Sequence, residues 1–436
     1  MASLNESLYT TPSAKRALAL NKNLVESATA IRKSHGLDTT YERKLATAVC
    51  LENTKRQLKV MESVNGTATQ PSSIGQYKRY SLDMVGALIP SLIAPDIVSV
   101  QAIDNRVGMI NILKYQYGDA GKFPAGHTFN SPLALDQDNG YAAGVKVGAL
   151  DASKTFTITP GSNIEWVQVN GATLAATDYT YVESTGVITV TGGSANDNIV
   201  VKVDLDNVPV KAPSIKLDID SIPITAEAYK LQAIWSFDAQ YELSKEYGAD
   251  MQKQLAVTAT AEIQSEIDNT VILDLYNGAA AGPDIIWGKS HQQYISTMDH
   301  YDGFWASILE ASNSIFNATK RARANFLVGG IGVDSVVRAM RNFTPADDVN
   351  SVGPHFIGTL GGLKVYVNPY LGTNDAFVGY KGDTLMDAGY VFAPYMPVLT
   401  TGMVTLADDF ASREGWAAMY GKQMINPNLY CRIHIV

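Results

Sequence analysis

Apolar residues recur at every fourth position over one long stretch: Met251, Leu255, Ala259, Ile263, Ile267, Val271 and Leu275. No proline or glycine interrupts residues 250–276. The spacing therefore predicts a single helix about 40 Å long, at ~1.5 Å per residue, with one continuous apolar stripe. Gly248 closes a shorter helix expected over 236–247, and the strand-like run "YKLQAIW" comes before it. A helix of this length reads as a spine for something extended.

The period changes to two between residues 151 and 206. "FTITP", "EWVQVNG", "YTYVES", "GVITVTG" and "NIVVKVDLD" are short β-branched runs separated by Gly, Asn and Ser. They predict a small all-β insert, a sandwich of five to six strands. Residues 80–118 have core-like composition and end in "VGMINILKYQYG", a strand. "GDAGKFPAG" and the Gly/Ala/Asp-rich stretch after it suit a long loop or hairpin. At the N-terminus, "ERKLATAVCLENTKRQLKVMES" predicts an amphipathic helix with Leu45, Val49, Leu58 and Met61 among its apolar positions. The linker "NGTATQPSSIGQ" follows, so residues 1–79 read as an arm rather than a globular domain. The last third alternates helix and strand: "YDGFWASILEASNSIFNATKRA", "NFLVGG", "VDSVVRAMRNF", "LKVYVNPY" and "DAFVGYKG". That alternation suggests an α/β or α+β domain whose sheet is covered by helices.

Composition narrows the function. Charged residues make up 18% of the 436, hydrophobic ones 46%, and the net charge is −9. That balance disfavours tight binding of phosphate backbones, although a protein that merely encloses nucleic acid can be acidic. "MASLNESLYT" lacks the basic segment and apolar run of a signal peptide, and "MVGALIPSLIAP" is too short and proline-interrupted to span a bilayer. The expectation is an intracellular soluble product without a membrane partner. Cys50 and Cys431 lie far apart with no CxxC partner, which excludes a cysteine zinc site and a disulfide framework and predicts two buried, idle thiols.

A search for chemistry finds little. In "NFLVGGIGVDSVVRAM" a strand runs into Gly330-x-Gly332 and opens a helix, the context of a dinucleotide loop, but Ser335 occupies the third glycine position. A plain glycine turn is the favoured reading. "WGKS" (287–290) ends like a phosphate loop, but Pro283 stands where its first glycine belongs. His35, His127, His291, His300, His355 and His434 form no HxH or HExxH pattern. "DQDNGY" (136–141) lacks the acid that closes a calcium loop. Asp347–Asp348 and Asp408–Asp409 sit in turn-like sequence. There is no GxSxG. No catalytic residue, cofactor or metal is expected.

"YKGDTLMDAGYVFAPYMPV" (380–398) looks at first like a charged active centre. Gly382, Gly389 and the two aspartates are also turn residues, however, and Tyr390, Val391 and Phe392 read as a strand that Pro394 and Pro397 should terminate. Lys381 could pair with Asp383 or Asp387, a contact worth ~0–1 kcal/mol if exposed, and replacing Asp387 with Ala should impair folding or assembly rather than an activity.

"ALIPSLIAPDIVSVQAI" (87–103) with "MINILKYQYG", then "AYKLQAIWSFDAQYELSKEYGADMQKQLAVTATAEIQSEIDNTVI" (228–272), then "FIGTLGGLKVYVNPY" with "AFVGYKGDTLMDAGYVFAPYMPV", form an ordered set. The set resembles the major capsid proteins of T-even-type myophages. The insert's "VNG…DYTY…GVITV" is similar to β modules of phage structural proteins. The resemblance implies the Hong Kong 97-type capsid fold, with an N-terminal arm (1–79), a P domain (80–118 and 207–295, spine helix 250–276) and an E-loop region (119–150). The β insertion (151–206), an A domain (296–398) and return strands (399–436) complete the plan. It further implies self-assembly into hexamers and pentamers as an icosahedral head shell around double-stranded DNA. Portal, scaffolding and decoration proteins would be the partners, with assembly in the host bacterial cytoplasm. An encapsulin-like shell, or a cytosolic enzyme using the 325–340 glycine turn for a nucleotide, is the alternative. Members often lose an N-terminal segment to a prohead protease. Glu62, after Val60-Met61, and Glu26, after Leu24-Val25, are the candidate cleavage positions, and a retained arm is the expectation. Loop lysines such as Lys122 and Lys146 could be imagined in the isopeptide crosslinks that some proteins of this fold form, but the T-even-type resemblance gives that chemistry no support.

Overall fold

The computed structural model describes residues 12–34, 40–64, 88, 92–117, 145–158, 160–204, 215–247, 251–290, 296–319, 322–346, 353–382, 388–401, 403–405 and 411–436. The chain divides into two compact units, Met1–Asn111 with Ser221–Val436, and Ile112–Asp220.

The large unit is built on the predicted spine, a helix over Met251–Gly278. Ala259, Ile263, Ile267, Val271 and Leu275 of the four-residue repeat are buried, joined by Ala256, Asp268 and Ile272. Fully burying one such aliphatic side chain stabilises by about 1.5–3 kcal/mol, so this face anchors the helix to the core. The shorter helix forms over Phe237–Tyr247, while Gly248 lies outside the described residues. "YKLQAIW" lies within the strand Glu227–Ser236.

Two sheets share the core with the spine. In one, Tyr390–Thr400 is central. It pairs in parallel with Ser99–Val100 and antiparallel with Ala411–Met424, which in turn pairs with Glu227–Ser236. The expectation that Pro394 and Pro397 end this strand is overturned, because it continues to Thr400. The ladder accommodates both prolines through register shifts between Pro394 and Met396 and between Met396 and Leu399. The Pro394 carbonyl accepts from the Ile103 N–H at 3.2 Å, so the N–H that proline lacks would have faced the irregular 101–103 segment and no regular ladder loses a bond.

The other sheet has seven strands in the order Ile285–Trp287, Tyr430–Ile435, Asp375–Gly379, Phe326–Gly329, Leu363–Val367, His355–Leu360 and Phe343–Pro345. The helices Phe304–Thr319 and Ile331–Ala339 match the predicted alternation, each burying an apolar face. The segment 380–389 carries the chain from this sheet into the five-stranded one.

The N-terminal segment holds three helices, Pro12–Leu20, Lys22–Ser34 and Tyr41–Val64. Leu45, Val49 and Leu58 are buried as their spacing predicts, and Met61's side chain lies outside the described residues. The predicted strand at 107–118 forms as Val107–Tyr117 and pairs with Ile215–Thr225 in a two-stranded ribbon.

The smaller unit contains the β insert. Thr155–Thr157, Val187–Val190 and Tyr179–Val182 form one sheet, while Val145–Ala149, Asn198–Asp204, Asn163–Val169 and Ala172–Thr173 form a second. Val167, Ile188, Val190, Ile199 and Val201 fill the space between them. Asn170 (φ 50°) and Gly171 (φ 84°) make the two-residue turn from Val169 to Ala172, where positive φ at both central residues matches the strand twist. The expected 119–150 loop lies outside the described residues except at 145–150, which holds the first strand of this second sheet.

Candidate functional site

The strongest concentration of buried polar chemistry surrounds the short helix Ala94–Ile97. Asp268, fully enclosed on the spine, accepts from the Ile93 N–H at 3.0 and 3.1 Å and from the Ala94 N–H at 2.8 Å. Burial pushes its carboxyl up to about 7; the two backbone donors pull the other way, and the Asp96 charge adds to the rise. From the opposite side Arg43, on the helix Tyr41–Val64, donates to the Leu92 carbonyl at 3.0 Å and lies 3.3 Å from Asp96 Oδ1. Lys381 completes the cluster. Its Nζ donates to the Pro95 carbonyl at 2.6 Å and lies 3.9 Å from Glu42 Oε2. Further along the same Tyr41–Val64 helix, Asn53 donates to the Ile103 and Tyr395 carbonyls, each at 3.0 Å. These groups spend their hydrogen bonds on chain crossings, and the cluster works as a latch rather than a reaction centre.

Lys381 therefore reaches beyond its own turn. Its side chain is only 11% exposed and grips backbone distant in sequence. Asp383 and Asp387, its expected partners, lie outside the described residues. Sequence reasoning missed Asp268 and Arg43, although both carried a signal. Asp268 shares helical spacing with Val271, Ile272 and Leu275, and Arg43 shares it with Ala46 and Cys50, so each charge sits on an apolar face.

The remaining candidates resolve one by one. Gly330 caps the helix Ile331–Ala339. Its N–H donates to the Asp375 carbonyl at 2.9 Å, and that of Gly332 to the Thr373 carbonyl at 2.8 Å. A Cβ on Gly330 would stand 2.1 Å from the Gly372 oxygen. The glycines thus admit a neighbouring loop, and the donors a phosphate would need are taken. Within "WGKS", Trp287 ends a strand and stacks on His300, ring centroids 4.9 Å apart. His355 meets the Gly353 carbonyl and His434 meets Asp375, while His35, His127 and His291 lie outside the described residues. So do residues 136–141, both aspartate pairs and Lys122. Lys146 sits on the strand Val145–Ala149. Among the described residues no His, Cys, Asp and Glu group is arranged to hold a metal, and no helix is long and apolar enough to cross a membrane. Cys50 and Cys431 are free and buried. Glu26 is exposed on the helix Lys22–Ser34, 3.9 Å from Lys22. Glu62 lies on the helix Tyr41–Val64, its side chain outside the described residues.

Contact surface is plentiful where reactive chemistry is sparse. Val107, Met109 and Ile219 of the two-stranded ribbon are exposed, as are Ile234, Phe237, Tyr241 and Val257 around the start of the spine. Among the described residues Glu227–Ser236 and Ile285–Trp287 are border strands of their sheets. Exposed apolar side chains and open borders of this kind mark surfaces that other chains cover.

Comparison with known proteins agrees with that reading. The family model for "Major capsid protein Gp23" matches residues 74–434. The major capsid protein of Salmonella phage ViI is 24% identical over 371 residues, covering 80% of this chain and 77% of the relative. That of Enterobacteria phage T4 is 26% identical over 388 residues, covering 78% and 74%. Among solved structures, a chain of Microbacterium phage Oxtober96 aligns with a TM-score of 0.40 at 11% identity, over 79% of this chain and 91% of its own. The capsid of Myoviridae phage XM1 aligns with a TM-score of 0.35 at 10% identity, over 66% and 87%. The family match takes in the spine, both sheets of the large unit and the spine and Lys381 sides of the latch, and on that ground the chain belongs to the Gp23 major capsid protein family.

Proposed function

We propose that this chain is the major capsid protein of a tailed phage of myovirus type, a structural subunit that self-assembles into hexamers and pentamers as an icosahedral head shell around double-stranded DNA. The observation that carries the reading is the family match over residues 74–434. Its work is interface burial rather than catalysis. An ordinary interface buries ~1,600 Å², and modest contacts repeated under closed symmetry add up to a stable particle. A net charge of −9 suits a container whose packaged polyanion must not adhere.

On this reading the plan is of Hong Kong 97 type. Residues 1–79 serve as arm, 119–150 as E-loop, 80–118 and 207–295 as P domain, 296–398 as A domain and 399–436 as returning strands, with the 151–206 insert as an added module. Portal, scaffolding and decoration proteins are the further partners, and assembly takes place in the host cytoplasm before the chain resides in the virion. The arm is retained on this reading; if a prohead protease did act, Glu26 and Glu62 are the positions after which it would cut. A particle-derived chain of the full 47.0 kDa would exclude that processing.

Negative-stain microscopy of the purified protein tests the function. Closed shells or capsomers are expected. A species that stays monomeric or dimeric under all assembly conditions, and is stabilised by nucleotide, would overturn it.

A further inference from the structure

The shell reading requires subunits to contact one another, and the charge distribution points to one such contact. Residues 1–64 carry ten Lys and Arg against six Asp and Glu, in a chain whose net charge is −9. The three helices of this basic segment enclose a groove of about 630 Å³, lined by the apolar Leu18, Val25 and Ala30 and by Lys15, Lys22 and Lys44. Glu26, the acid on this lining, is engaged with Lys22 in an exposed pair.

The same unit carries a surface of opposite character. The helix Phe237–Tyr247 starts with the Ser236 hydroxyl accepting from the Ala239 N–H. Phe237 and Tyr241, one turn apart, are each 57% exposed. Asp238, Glu242 and Glu246 follow at four-residue intervals beside them and are exposed. Lys245, the basic residue of the helix, is folded back over the Tyr241 ring at 5.6 Å. The result is an aromatic stripe with an acidic flank, the complement of an apolar groove edged by lysines.

Within one chain these two surfaces do not meet, since the aromatic pair stays exposed and the groove stays open. We propose that the groove formed by the helices Pro12–Leu20, Lys22–Ser34 and Tyr41–Val64 receives the Phe237–Tyr247 helix of a second copy. The two patches differ, so the contact is heterologous. Repeated head to tail it closes a ring, as capsomer assembly needs. The solvent-facing apolar lining, Ala19 and Ala30 beside the half-buried Leu18, favours this helix over a phosphate backbone, which would use the lysines alone.

The inference rests on the shell reading, and the test separates the two. Full-length K22C and E242C variants are assembled as a mixture and treated with a short bis-maleimide. A heterodimer band absent from either variant alone is expected. In parallel, K15E/K22E should lower particle yield about tenfold, and adding E242K/E246K should restore it, as charge complementarity requires. All four positions are exposed, so these changes leave the fold intact, which circular dichroism checks. Normal particle formation by K15E/K22E, together with no heterodimer band from the K22C and E242C mixture, overturns the inference and leaves the shell reading standing. Loss of assembly rescued only by added polyanion assigns the groove to another ligand and also overturns it. A wild-type chain that never forms particles removes the shell reading and the inference with it.

Discussion

Replacing Asp268 with Asn should change how stability depends on pH more than it changes stability itself. The carboxyl is fully buried and held near pH 7 by that burial, against an ordinary value of 3.8. At pH 5 the native carboxyl therefore keeps a proton that the unfolded chain has released, and proton uptake favours the folded state. That contribution is fully present below 3.8 and is lost as pH rises through 7. Between pH 5 and 8 a shift of this size removes about 2.5 kcal/mol from the wild type. Asn cannot titrate, yet its Oδ1 can accept from the Ile93 and Ala94 N–H groups that now lie 3.0 and 2.8 Å from Asp268 Oδ1. The D268N protein should therefore lack this component and gain on the wild type by about 2.5 kcal/mol between pH 5 and 8. D268A is the control. It strands both buried N–H groups and opens a small cavity, at a cost of about 4 kcal/mol. Urea unfolding of the unassembled chain at the two pH values measures all three. Parallel pH profiles for wild type and D268N, or a D268A protein as stable as D268N, would refute the reasoning.

Three further outcomes follow from the packing. Tyr390→Phe removes the hydroxyl that donates to Asp274 Oδ2 at 2.8 Å while Lys422 keeps its own 2.8 Å contact with that carboxylate, so the unfolding free energy should fall by about 1 kcal/mol; an unchanged midpoint would count against the bond. Gly330→Ala places a methyl 2.1 Å from the Gly372 oxygen, whereas a Cβ on Gly288 meets nothing within 4 Å. G330A should be insoluble or unfolded by circular dichroism and G288A should match wild type. Cys50 and Cys431 are buried and burial raises both thiols, Cys431 to about 11. A thiol-specific chromogenic reagent should label neither in the native chain and both after unfolding, and rapid native labelling would contradict that burial.

Elements whose information is local were legible in the sequence. The spine's four-residue repeat and the β-branched runs of the insert are properties of neighbouring residues, and both formed as read. So did the strand "YKLQAIW" and the alternation of the last third. The fate of Pro394 was not legible, because it depends on the backbone at 101–103, brought alongside only by the parallel pairing of Ser99–Val100 with Val391 and Phe392.

The latch shows the same limit from the side of function. Lys381 was singled out for the right property, a charge among turn residues and aromatics, but its contact with the Pro95 carbonyl, 286 positions away, could not be read locally. Asp268 is one of four acids on the spine, with Glu262, Glu266 and Asp274, and stands beside the four-residue repeat rather than in it, so it is easily passed over. Its two donors are 174 and 175 positions distant. A charge on a buried helical face is tolerable only when a partner meets it there, because an unpaired buried ion costs several kcal/mol. Such a residue is therefore a sequence-level sign that a chain crossing will occur, even though it cannot name the crossing strand. In a chain whose match is to capsid proteins, a buried charge reads first as a fastening between segments, and as chemistry only when a cavity opens beside it. None is needed here: Asp268, Arg43 and Lys381 each point at backbone of one stretch, 92–97, and hold it between the spine, the N-terminal helix and the connection between the two sheets.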